Sequence, residues 1–170
     1  MSSAARKLMS ASGGGAVTGA IAVGHDSGSH ISVYSWDKVD GFGGKFVNPS
    51  TLPTGDGKAV AFSPDGSAIA VAHPSSPYVT AYPWSGSGFG TKYSNPSTLP
   101  PGSGYSVSFS PDGSAIAVAP SSSPYVIAYP WSGSGFGTKF SNPSTLPTDY
   151  SYSVSFSPDG SAIAVGHDSS

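Results

Sequence analysis

The chain has 170 residues, room for one ordinary domain with a real core. Its 37% hydrophobic but only 9% charged residues, against about 25% charged in an average domain, and its formal charge of −2 offer no basic face for nucleic acid. Cysteine is absent, which excludes disulfides and thiolate metal sites, and no apolar run approaches the roughly 18 residues that span a bilayer, so no membrane insertion is expected.

Residues 1–15, "MSSAARKLMSASGGG", read as a Gly/Ser-rich tail. Arg6 and Lys7 have no apolar stretch behind them, so the segment is not read as a secretory signal. From residue 16 onward the sequence repeats. "FSPDGSAIAV" starts at Phe62, Phe109 and Phe156, spaced by 47 residues, and the stretches 62–99 and 109–146 differ at four positions. These are His73 against Pro120, Pro74 against Ser121, Thr80 against Ile127, and Tyr93 against Phe140.

Each period divides into four short strands with turn residues between them. In the copy at 104–149, "YSVSF" alternates Val107 and Phe109 with serines, the two-residue period of a strand. "SPDG" then makes a type I turn, with Pro111 at its second position. "SAIAVA" has no polar alternation and must be covered on both faces, Ala on one and Ile116 and Val118 on the other. "YVIAYPW" is β-branched and aromatic, with Pro130 marking a bulge or strand end. "SGSG" turns into a fourth strand, "FGTKF", and "SNPSTLP" leads to the next period. No window carries a helical stripe free of Gly or Pro.

The expectation is an all-β chain of thirteen or fourteen strands, a β-propeller of four-stranded blades of about 47 residues, three blades per chain. Full blades occupy 57–103 and 104–149. Residues 16–56 hold the second, third and fourth strands of a split blade, which 150–170 of another chain completes. The octapeptide "AIAVGHDS" occurs at Ala20–Ser27 and again at Ala162–Ser169, so the same second strand stands on both sides of that split. Three blades are too few for a ring, since propellers use about four to eight. The chain's expected partner is therefore itself: a six-bladed homodimer, with a nine-bladed homotrimer as the alternative. Ile21, Val23, His25, Asp26, Ile163, Val165, His167 and Asp168 mark the assembly seam.

The run "FSPDGSAIAVAPSSSPYVIAYPW" resembles the WD-repeat signature, with an aromatic "YPW" where that family has its Trp-Asp. The resemblance implies the propeller fold and an interaction scaffold. Pro-Trp-Ser in place of Trp-Asp, and the missing Gly-His pair, depart from the pattern. "MSSAARKLMS" is similar to the opening of tail and structural proteins of marine bacteriophages, which implies a virion location.

Little points to catalysis, since a catalytic site needs dissimilar groups converging on one point and this chain repeats the same few. "GHD" at Gly24–Asp26 and Gly166–Asp168 pairs a His with an Asp, but the other copies read "AHP" and "APS". "SGSGFG" links two strands and lacks the Lys of a phosphate loop. Asp65, Asp112 and Asp159 belong to their own turns. No metal ligand set and no cofactor are expected. The recurrent aromatics Trp36, Trp84, Trp131, Tyr82 and Tyr129 either fill the space between blades or stack on a glycan. The expected function is a non-enzymatic structural or interaction module, such as a virion-associated adhesin. A lectin-like propeller, and an engineered or minimal propeller fragment without a ligand, are the alternatives.

Overall fold

The computed structural model describes residues 18–168, and the tail at 1–15 lies outside them. The described chain is all-β, with no helix, and its twelve strands form four small antiparallel sheets. The first sheet comprises β1 (Thr18–Gly24), β2 (Ile31–Asp37) and β3 (Gly41–Lys45). The second holds β4 (Ala59–Phe62), β5 (Ala68–Ala72) and β6 (Val79–Pro83). The third holds β7 (Gly104–Phe109), β8 (Ala115–Pro120), β9 (Ile127–Ser132) and β10 (Gly135–Phe136). The fourth is the hairpin of β11 (Ser151–Phe156) and β12 (Ile163–His167). Each sheet is a meander whose strands pair in chain order.

The "SPDG" turns are built alike in all three copies. Ser110 Oγ donates to Asp112 Oδ1 at 2.6 Å, the Ser114 amide donates to the same oxygen at 3.0 Å, and Ser110 Oγ also accepts from the Ala115 amide at 2.9 Å. These bonds, Ser110's foremost, lower the Asp112 pKa to about 2, and Ser157 does the same for Asp159. Gly113 follows with φ 74°, a left-handed conformation that costs glycine little. The turn fixes the register that sets Val107 opposite Val118 and Phe109 opposite Ile116.

The sheets stack face to face in chain order. Every β5 residue is fully buried, because each face meets a neighbour. Ile69, Val71, Tyr82 and Trp84 face the first sheet, packing on Ala22, Ile31 and Val33. Ala68, Ala70 and Ala72 face the third sheet, packing on Val107, Phe109, Ile116 and Val118. A third cluster joins Ala117, Ala119 and Val126 to Val154 of the fourth sheet. At each seam the alanines of one sheet's "AIAV" strand thus face bulkier residues of the next sheet. The first strands lie near one another along the stack: β4 neighbours β7 and β7 neighbours β11, where the Val154 amide donates to Ser106 Oγ at 3.2 Å.

The fourth strands differ from expectation. In the second sheet the fourth strand shrinks to one bridge, Trp84 to Phe89, and in the third to the two residues of β10 rather than all of "FGTKF". Proline is the cause. Pro83 and Pro130 accept from the Gly90 and Gly137 amides at 2.8 Å but have no N–H to return, so the ladder lapses. The first sheet has Ser35 at that place, and there β3 runs for five residues. Twelve strands result among the described residues instead of thirteen or fourteen.

Candidate self-assembly site

Among the described residues, the first and fourth sheets carry on their surfaces residues of the kind that the inner sheets bury. In β12, Ile163 is 40% exposed, whereas its counterparts Ile69 and Ile116 are fully buried. Val165 packs partly against the third sheet, while Ala164 is exposed. At the other end, Ile21 lies opposite Tyr34 and Trp36 opposite Phe42. With Val23 they occupy the positions that Ile69, Val71, Tyr82, Trp84 and Phe89 hold in the second sheet. Here no sheet precedes them among the described residues, and Phe42 is 63% exposed.

The five aromatics occupy equivalent positions but different surroundings. Tyr82 and Tyr129 are fully buried and Trp84 and Trp131 nearly so. Trp84 meets Phe46, Phe62 and Phe89 edge-on at 5.0–5.8 Å, and Trp131 meets Tyr93, Phe109 and Phe136 at 5.1–5.2 Å. Each such pair adds about 0.5–1.5 kcal/mol beyond burial. The Tyr82 hydroxyl donates to the Thr51 carbonyl at 2.8 Å, and that of Tyr129 to the Thr98 carbonyl at 2.8 Å. These two rings therefore tie down the proline-rich connectors, and burial raises the pKa of both. All four rings stand between sheets with little face turned to solvent. Trp36 alone of the five is half-buried.

The remaining seam residues scatter. His25 Nε2 lies 3.1 Å from Ser32 Oγ, while Asp26 points the other way, 3.4 Å from Lys58 Nζ. His25 and Asp26 thus act separately. His167 and Asp168 are exposed, and Asp168 Oδ2 accepts from the Tyr152 hydroxyl at 2.9 Å.

One pair escaped the sequence reading. His73 is fully buried, with Nε2 2.9 Å from Thr80 Oγ1 across the β5–β6 hairpin. Burial holds its pKa down at about 4. The third sheet has Pro120 and Ile127 at these places, so the polar pair is exchanged as a unit for an apolar one. The signal was present: two of the four differing positions lie seven residues apart, across one hairpin.

Among the described residues no three His, Asp or Glu side chains group as metal ligands. No protein-family model matches the chain, and no curated protein matches it.

Proposed function

We propose that the chain is a non-enzymatic structural and interaction module of propeller type, closed into a ring by copies of itself. The observation that carries this reading is the contrast between Ile163, 40% exposed, and Ile69 and Ile116, fully buried, at one repeated position. β12 shows apolar side chains that the inner sheets cover, and the first sheet shows a matching apolar face with Phe42 63% exposed. Joining the two ends gives three complete blades per chain. Two chains then make a six-bladed ring and three a nine-bladed one, of which six falls within the usual size range. Such a ring presents repeated loops suited to contact with other proteins. Sequence likeness of residues 1–10 adds a virion surface as its setting.

Sedimentation velocity over a hundredfold range of concentration tests the closure: a single discrete oligomer supports it, and a monomer throughout overturns it. The lectin-like alternative leans on Trp36, the half-buried aromatic of the five. A glycan array on the intact chain and on Trp36→Ala distinguishes the two readings. Sugar binding lost with Trp36 favours the lectin, and no binding favours the structural module.

A further inference from the structure

We infer that β1, and not its duplicate β12, fills the closing sheet: β1, β2 and β3 of one copy add to β11 of a second copy and displace that copy's β12. The inference rests on the assembly proposed above and names the surfaces that meet.

The two inner seams supply the template. Across the first, Phe46 stands edge-on to Trp84 at 5.0 Å and Tyr82 binds the Thr51 carbonyl. Across the second, Tyr93 stands edge-on to Trp131 at 5.2 Å and Tyr129 binds the Thr98 carbonyl. The sequence has three Tyr-x-Trp pairs, at Tyr34, Tyr82 and Tyr129, and three "NPSTLP" connectors, at 48–53, 95–100 and 142–147. Each inner seam joins one connector to the Tyr-x-Trp pair that follows it. The first pair, Tyr34 and Trp36, and the last connector, with Thr145 and the preceding Phe140, are left over. They are complementary by the same rule.

Exposure agrees with this. Pro49, Pro53, Pro96 and Pro100 of the first two connectors are buried, whereas Pro143 of the third is exposed and Phe140 is 49% exposed. The β11–β12 hairpin packs on the third sheet chiefly at β7 and β8, with Val126 and Ala128 in the same cluster. It brings no third strand among the described residues, and so no ring to meet Phe140.

Register permits the exchange. β11 pairs with β12 through Val154 opposite Val165 and Phe156 opposite Ile163. Because β1 carries the same octapeptide, it can adopt that register with Val23 opposite Val154 and Ile21 opposite Phe156. Unlike β12, β1 then continues into β2, which sets Tyr34 beside Ile21 and carries Trp36 toward the partner's Phe140. The Tyr34 hydroxyl reaches the place from which to donate to the partner's Thr145 carbonyl. The exchange keeps every contact of the octapeptide and adds those of the third strand.

One substitution made in each copy of the octapeptide tests this. Val23→Asp is expected to abolish the oligomer seen by sedimentation, and Val165→Asp to leave it intact. The opposite pattern overturns the inference. Because Val23→Asp also burdens the first sheet, cysteine pairs in this cysteine-free chain provide a second readout. Ser155→Cys with Ala22→Cys is expected to give disulfide-linked chains on a non-reducing gel, and Ser155→Cys with Ala164→Cys to keep free thiols. If the second pair closes within one chain while the assembly persists, β12 stays in place; the inference then fails and the assembly stands. If neither pair links chains and the protein sediments as a 16.9 kDa monomer, the assembly reading fails as well.

Discussion

His73 makes the second sheet sensitive to acid, and the size of the effect follows from its burial. The fully buried ring has a pKa near 4 in the folded chain, against 6.5 for a free histidine. Between those values the unfolded chain binds a proton that the folded chain refuses. Stability is therefore full above pH 6.5 and is lost as pH falls through 6.5 toward 4. The slope approaches one proton, about 1.4 kcal/mol per pH unit, so the loss reaches roughly 3 kcal/mol at pH 4. That is a large share of the 5–15 kcal/mol or so that a domain holds. Urea unfolding at pH 7.5, 6, 5 and 4, at one protein concentration, measures it. His73→Gln keeps a polar partner for Thr80 Oγ1 but does not titrate, so its stability is expected to fall by roughly 3 kcal/mol less over that range. The other histidines and the aspartates are common to both proteins and cancel. Parallel stability curves for the two proteins would refute the argument.

Trp84→Ala is expected to cost about 3–5 kcal/mol by thermal or urea unfolding, since it empties the middle of an inner seam. Trp36→Ala is expected to leave the folded chain nearly as stable but to weaken its assembly. Ala117→Leu overpacks the face against β11 and β12 and is expected to cost about 1–3 kcal/mol; Ala164→Leu, at the matching but exposed place in β12, is expected to change stability by less than about 0.5 kcal/mol. Deleting 153–170 removes most of β11 and all of β12 and is expected to abolish the oligomer in size-exclusion chromatography; an unchanged elution volume would contradict the role given to β11.

The division into sheets was legible because it rests on signals the sequence repeats. The 47-residue spacing of Phe62, Phe109 and Phe156 marks the period, and the unalternated "SAIAVA" marks the strand covered on both sides. The "SPDG" aspartates likewise stay in their turns, as their residue type dictates. The fourth strands were less legible, because a strand needs a partner that can both donate and accept. Pro83 and Pro130 donate nothing, a cost that falls on the next strand and not on the one that contains them. The aromatic positions could be read as packing or as binding, since burial depends on a neighbouring sheet and not on local sequence. Trp84 and Trp36 have similar surroundings in the chain and different ones in space. The His73–Thr80 pair was hidden for the same reason: it appears only when the hairpin brings the two positions together.

Closure by self-association is the central claim, and native mass spectrometry of the intact chain tests it most directly. Two chains of 16.9 kDa are expected to appear as a single species of about 33.8 kDa. A species of about 50.7 kDa would keep the closure but change the ring from six blades to nine. A folded, stable species at 16.9 kDa would contradict the claim.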